Sequence, residues 1–228
     1  MKTSFRLDFD LLLNQLSGLT IQTIEADPKA TGVVNIRHDV DDDLLASVEM
    51  AEYEAQLGIS STYYILDTAP YFKGPIHGKL KRIVFLGHAI GWHNNFLTRC
   101  YHYGEQQAHI DTLNALLFLS NVQLMIGTAS HGDPLCYEKK YLNYHLWTDN
   151  EAQMKWLPIV HPFTRYDLKH WGFEYEAYFT GQTHYISDSG GGWCQDNKSV
   201  IADFRSRLAK GDRVKLQVNI HPQYWDLK

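Results

Sequence analysis

The feature that most constrains the fold is an alternation of short β-branched runs with amphipathic segments along the chain. Helices are expected over residues 8–17, 43–57, 79–86, 104–119 and 198–209, and strands over residues 33–36, 61–66, 88–93, 122–126, 183–187 and 214–220. This order is typical of a parallel sheet with crossover helices. No repeat or linker interrupts it, so we predict one α/β domain over residues 1–228.

Two of these helices carry local signals. Asp8 precedes an apolar run and is expected to cap the first helix. Leu113, Leu116, Leu117 and Leu119 form an apolar stripe in the segment 104–119. This stripe is expected to face the core.

Polar side chains cluster where the predicted strands end. Acidic residues occupy positions 39 and 41–43, and His93, His131, Asp188 and His221 each end or follow another strand. Because ligands of parallel α/β sheets bind at the carboxyl ends of the strands, these side chains are expected to meet at one rim. The sequence therefore predicts a polar site there.

The acidic run divides into two pairs. Asp42 and Asp43 suit the first turn of the following helix, where carboxylates cap the chain and complement the helix dipole. Asp39 and Asp41 are two residues apart, a spacing that puts both side chains on one face of a strand. One of such a pair can bind a metal ion while the other acts as a base.

Composition excludes several classes of protein. Lys and Arg number 21 against 26 Asp and Glu, and no basic stripe is present, so a nucleic-acid partner is not expected. No apolar run approaches the ~20 residues that cross a bilayer, and acidic residues interrupt the N-terminal apolar segment, so we expect no membrane span and a cytoplasmic location. The three cysteines, Cys100, Cys136 and Cys194, have no metal-site spacing and are interpreted as structural thiols.

Four motifs, in order, resemble those of the polysaccharide deacetylases of the NodB-homology type. They are RHDVDDD at 37–43, an HDVD-type variant of the first motif, then LGHAIGWHNNFL at 86–97, SDSGGGW at 187–193 and VNIHPQYW at 218–225. The resemblance covers about residues 33–225. It implies a distorted (β/α)7-type barrel and metal-dependent removal of acetyl groups from sugars.

The resemblance also implies roles for the residues that match. Asp39 would be the general base and Asp41 a metal ligand, although the order of these two roles can be exchanged. His93 would be a metal ligand, and His221 the general acid that protonates the leaving amine. Asp188 would orient a neighbouring charged group.

This chain departs from the family pattern at two positions. The second metal histidine would fall at position 97, which is leucine, and the third motif lacks its arginine and reads Ala129-Ser130-His131-Gly132. We therefore expect His131 to complete a metal site with Asp41 and His93. Two imidazoles and one carboxylate suit one divalent ion, Zn²⁺ first, with Fe²⁺, Co²⁺ or Ni²⁺ as alternatives. Trp193 and Trp225 are expected to bind the carbohydrate substrate.

The resulting hypothesis is a metal-dependent hydrolase that deacetylates an N-acetylated sugar. The substrate is expected to be a precursor of a surface polysaccharide such as O-antigen or lipopolysaccharide. Two alternatives stay open: a catalytically impaired carbohydrate-binding or regulatory protein on the same fold, and a hydrolase of a non-sugar C–N bond. The sequence does not set the oligomeric state.

Overall fold

A computed structural model describes residues 5–193 and 196–225. Its strands are β1 (Thr20–Ile21), β2 (Val33–Val40), β3 (Thr62–Leu66), β4 (Ala89–Asn94), β5 (Gly127–Ser130), β6 (Tyr175–Glu176), β7 (His184–Ser187) and β8 (Lys215–Ile220). Its α-helices are α1 (Phe5–Leu16), α2 (Leu44–Gln56), α3 (His77–Phe85), α4 (Phe96–Tyr103), α5 (Glu105–Ser120), α6 (Pro134–Lys139) and α7 (Asn197–Ala209). Single 3₁₀ turns lie at Pro70–Lys73, Asn143–Leu146, Glu151–Gln153, Leu168–Trp171, Ala177–Phe179 and Pro222–Tyr224.

Seven strands follow one another in the order β6-β5-β4-β3-β2-β8-β7, and β1 pairs with β2. Every one of these pairings is parallel. The order is that of a barrel that opens between β6 and β7 in the described part of the chain. The sheet curls enough that Gln217 on β8 donates a hydrogen bond to the carbonyl of Ala177, just after β6, at 3.0 Å. The predicted distorted (β/α)7-type barrel is confirmed as a curled parallel half-barrel.

The two faces of the central strands differ in polarity. On β2, Val34 and Ile36 lie in an apolar cluster with residues of α1 and α7. The alternate residues Asn35, Arg37 and Asp39 are buried on the concave side. Because successive strand residues point to opposite faces, this alternation places these three polar side chains inside the half-barrel. The helix side of β2 is mainly apolar, and its polar residue His38 pairs with Glu54 of α2 at 2.8 Å.

Three boundaries differ from the sequence prediction. Strand β2 continues to Val40, four residues beyond its predicted end. Helix α1 begins at Phe5, so Asp8 lies inside the helix and does not cap it. The strand expected over 122–126 is instead β5, which begins at Gly127. A side chain at position 127 would overlap the Tyr175 ring, so a glycine is required there. The strand consists of the small residues GTAS, and a search for apolar runs does not detect it.

The apolar stripe predicted for α5 is also wrong in part. Leu119 is buried, but Leu113 and Leu117 are 49% and 66% exposed. The buried face carries mostly small side chains, including Ala108 and Thr112, because α5 lies close against the preceding helix. Small residues permit that close approach, whereas a leucine stripe would hold the two helices apart.

Cys100 and Cys136 are buried and unpaired, as expected of structural thiols, and Cys194 lies outside the described residues. Across the described ranges, the structure contains no helix that is both long enough and apolar enough to span a bilayer.

Candidate metal centre at the carboxyl ends of the strands

Three side chains from three strand ends converge on one point. Asp41 follows β2, His93 lies near the end of β4, and His131 follows β5. Oδ1 of Asp41 is 3.1 Å from Nε2 of His93 and 3.1 Å from Nδ1 of His131. The two imidazole nitrogens are 3.3 Å apart. The three potential ligand atoms therefore form a nearly equilateral triangle, as a shared cation would require.

The donor atoms fit a divalent metal ion. Tetrahedral Zn²⁺ with bonds of about 2.0 Å has ligand–ligand separations of about 3.3 Å, close to the sides of this triangle. Oδ1 of Asp41 is buried and accepts no hydrogen bond. Two nitrogen ligands and one carboxylate suit Zn²⁺, Fe²⁺, Co²⁺ or Ni²⁺. Asp41, His93 and His131 thus form a possible metal site.

Hydrogen bonds hold both histidine ligands, one through its ring and the other through its backbone. Nδ1 of His93 donates a hydrogen bond to the carbonyl of Ala129 at 2.8 Å, which leaves the Nε2 lone pair of the neutral ring facing Asp41. His131 is held through its backbone: its N–H donates to the carbonyl of Asn94 at 2.9 Å. Its carbonyl accepts a 2.9 Å hydrogen bond from the Asn143 amide. These hydrogen bonds fix the ring of His93 and the backbone of His131.

Asp39 lies beside the triangle and is held by one oxygen only. Its Oδ2 accepts hydrogen bonds from Arg37 Nη2 at 2.8 Å and from Asn219 Nδ2 at 3.1 Å. Its Oδ1 is buried and has no hydrogen-bond partner. The imidazoles of His93 and His221 lie farther away, each with Nε2 at 3.9 Å from Oδ2. This geometry leaves one oxygen of Asp39 able to accept a proton.

His221 faces the same site from the end of β8. Its Nδ1 is 2.6 Å from Oδ1 of Asp188, and its Nε2 lies 3.9–4.0 Å from the two aspartates. The Trp225 indole donates to the other Asp188 oxygen at 2.8 Å. Asp188 therefore orients the His221 ring, and Trp225 in turn orients Asp188.

The two tryptophans expected to bind substrate lie on the His221 side. Trp225 is 8% exposed, and its ring meets the half-buried Trp193 nearly edge to face, with centroids 6.0 Å apart. A direct contact between either ring and a sugar stays a prediction.

The charges in this site support one another. Burial raises the pKa of Asp41, but its contacts with His131 and His93 outweigh that effect and leave the pKa well below its usual range. Burial opposes the charge of Asp39 as well, and Arg37 brings the pKa of that carboxyl below its ordinary value. For His221, burial lowers the pKa, yet Asp188 and the aspartates of the site raise it overall.

Sequence reasoning found the residues of the triangle but missed those that hold the aspartates. Leu97, where the family pattern has a histidine, is fully buried in the core and belongs to α4. Arg37 lies two residues before Asp39 on β2, and Asn219 lies two residues before His221, which follows β8, so strand periodicity could have identified both. Gln223 donates to Oδ2 of Asp41 at 3.2 Å from a 3₁₀ turn, where no periodic signal exists.

Comparisons with known proteins add little to this geometry. No protein-family model matches the chain, and the comparison with curated proteins finds no match. Among solved structures, a mutant of the peptidoglycan deacetylase PdaC from Bacillus subtilis aligns with 87% of this chain and 91% of its own. The two share 11% sequence identity with a TM-score of 0.34. Likeness at this level says nothing about the activity of this chain.

Proposed function

We propose that this protein is a metal-dependent hydrolase that removes the acetyl group from an N-acetylated sugar. The observation that carries the proposal is the triangle of Asp41, His93 and His131. Beside it lie Asp39, whose Oδ1 has no hydrogen-bond partner, and His221. Amide hydrolysis needs a site that activates water, a base and an acid. Side chains suited to all three tasks lie together at the carboxyl ends of the strands.

Each side chain has a task that its contacts permit. A divalent ion held by Asp41, His93 and His131 would polarise the acetyl carbonyl and lower the pKa of water. Asp39 would accept the proton of the attacking water, while Arg37 and Asn219 hold its carboxylate in place.

His221 would deliver the second proton. Its Nδ1 side is held by Asp188, so the proton on Nε2 faces the site and is positioned for the leaving nitrogen. Despite burial, the aspartates around His221 raise its pKa, which favours the protonated ring that donation requires. The order of roles that the sequence left open is thereby proposed as Asp39 for the base and Asp41 for the ligand.

The substrate class follows from the motif resemblance. An N-acetylated sugar in a precursor of a surface polysaccharide is the substrate we propose, and the deacetylated amino sugar and acetate are the products. Trp193 would form part of the wall that receives the acetyl group or sugar ring, since aromatic faces bind the apolar faces of sugars.

The test begins with metal content. Protein purified without chelator is expected to contain about one divalent ion per chain by elemental analysis and to release acetate from N-acetylated sugars. His131→Ala is expected to lose the ion, whereas His102→Ala, a matched change at an exposed histidine of α4, is expected to keep it.

Asp39→Asn separates catalysis from binding. This variant is expected to keep the metal and to lose acetate release. Metal-free wild-type protein whose sugar binding survives Asp39→Asn would overturn the proposal and support the carbohydrate-binding alternative. Acetate release that is unchanged in His131→Ala would exclude His131 as a ligand.

A further inference from the structure

Asp39 and Asp41 each accept a hydrogen bond from a side chain that is not part of the metal triangle, and the two donors differ in charge. Gln223, a neutral carboxamide, donates to Oδ2 of Asp41 at 3.2 Å. Arg37, a cation, donates to Oδ2 of Asp39 at 2.8 Å. In both carboxylates the remaining oxygen, Oδ1, accepts no hydrogen bond. Asp41 approaches the imidazoles of His93 and His131 with Oδ1, the oxygen without a donor. The oxygen of Asp39 nearest to the imidazoles is Oδ2, which Arg37 already binds.

The carboxamide orientation at Asp41 follows from chemistry. An ionised carboxylate only accepts hydrogen bonds, so the NH₂ group of Gln223 must face it. This bond restrains the rotation of the carboxylate and keeps Oδ1 between the two imidazoles, 3.1 Å from each. Because the donor is neutral, Asp41 retains its negative charge for a cation.

Asp39 is in the opposite situation. The guanidinium of Arg37 is buried with it, and the side chains of the two residues are 0% and 2% exposed. The Tyr178 ring lies below the guanidinium, 4.3 Å from its central carbon. The Arg37 charge therefore compensates Asp39 without screening by water. A carboxylate that is neutralised in this way attracts a second cation weakly.

We propose that Gln223 is a positioning residue that holds Asp41 in place as the metal ligand. In the same proposal, the positive charge of Arg37 keeps Asp39 from binding the metal. The inference rests on the metal site of the proposed function, but it concerns this chain's own residues behind the ligands. Outer hydrogen-bond partners of metal ligands commonly change metal affinity by about 10- to 100-fold.

The first experiment measures metal affinity directly. Zn²⁺ is titrated calorimetrically into metal-free wild-type protein, Gln223→Met and Gln153→Met, the last being the same change at an exposed position. Gln223→Met is expected to raise the Zn²⁺ Kd about 10- to 100-fold. It is also expected to change the d–d absorption spectrum of Co²⁺ bound in place of Zn²⁺. Gln153→Met is expected to match the wild type in both measurements.

The second experiment tests Arg37. Arg37→Met is expected to bind Zn²⁺ at least as tightly as the wild type, because Asp39 becomes available to the cation, while acetate release falls. Circular dichroism shows whether Arg37→Met folds. If it does not fold, Arg37→Lys, which keeps the positive charge, replaces it in the experiment. This variant is expected to retain the wild-type Zn²⁺ Kd.

The outcomes distinguish the two proposals. Unchanged Zn²⁺ affinity and an unchanged Co²⁺ spectrum in Gln223→Met overturn the inference and leave the hydrolase proposal standing. Weakened Zn²⁺ affinity in Arg37→Lys, equal to that of Gln223→Met, also overturns it. Wild-type protein that binds no divalent metal refutes the proposed function itself.

Discussion

Replacing Arg37 by methionine tests whether the buried ion pair with Asp39 holds the centre of the half-barrel together. The two side chains are in contact at 2.8 Å and are almost completely excluded from water. Methionine retains much of the apolar stem of Arg37 but removes the charge and the hydrogen bonds. Asp39 would then be a buried carboxylate whose main charge partner is gone.

The expected cost is large for a single substitution. Removing one partner of a buried ion pair costs about 3–5 kcal/mol of unfolding free energy, because the other charge stays buried without compensation. For a chain of this length, that loss corresponds to a decrease in Tm of roughly 6–20 °C. Whole domains are stable by only about 5–15 kcal/mol, so the variant would lose a large part of its stability.

Urea unfolding followed by tryptophan fluorescence, with chelator present, measures this loss. Arg82→Met is the matched control, because Arg82 pairs with Glu52 at 2.9 Å but both side chains are more than 40% exposed. The control is expected to cost less than about 1 kcal/mol. Adding Asp39→Asn to Arg37→Met is expected to restore much of the lost stability by removing the uncompensated charge.

Two results would refute this reasoning. The first is a change in unfolding free energy for Arg37→Met as small as that of the surface control. The second is a double variant no more stable than Arg37→Met alone. Either result would mean that Asp39 is not destabilised by loss of its cation.

Three further changes test other parts of the structure. Leu97→Ala removes a fully buried core side chain, so it is expected to cost about 2–5 kcal/mol in urea unfolding without changing the Zn²⁺ Kd; a weaker Kd would show that position 97 contributes to the metal site. Gly127→Ala places a methyl group against the Tyr175 ring and is expected to lower the unfolding free energy by at least about 1–3 kcal/mol. Gly78→Ala, whose methyl group would meet no atom within 4 Å, is expected to cause no loss. Equal stabilities for these two variants would contradict this packing. Burial raises the pKa of Glu176 from 4.5 to about 7, so its contribution to stability is fully present below pH 4.5 and is lost as the pH rises through 7. Relative to Glu176→Gln, the unfolding free energy of the wild type is therefore expected to fall by about 3 kcal/mol between pH 4 and pH 8. A difference in unfolding free energy that does not change with pH would exclude the raised pKa of Glu176.

Much of the fold could be predicted because it depends on periodicity. The β3, β7 and β8 strands and the α2, α3 and α7 helices fall close to their predicted ranges, since alternation and amphipathic spacing are local properties. The β5 strand was misplaced because its composition depends on Tyr175, which lies far away in the sequence. The two-residue strand β6 was not predicted, since so short a run carries no periodic pattern.

Some features of the candidate site could also be predicted from the sequence, whereas others could not. Residues at strand ends converge in any parallel sheet, so Asp41, His93 and His131 could be grouped from sequence alone. Strand periodicity can place Arg37 and Asn219 on the face of the site residues, but their hydrogen bonds to Asp39 depend on side-chain direction and distance and could not be predicted. Gln223 reaches Asp41 across 182 positions of the chain, from a turn without any regular pattern.

The sequence by itself determined that this chain forms a parallel α/β fold and that its polar side chains collect at one rim. Strand periodicity and parallel topology suffice for both conclusions. Only the tertiary structure decided which carboxylate oxygen faces the two imidazoles, that Leu97 belongs to the core, and that Arg37 compensates Asp39. These features depend on distances of a few ångströms between residues remote in sequence, and such distances arise only when the sheet curls and its side chains pack.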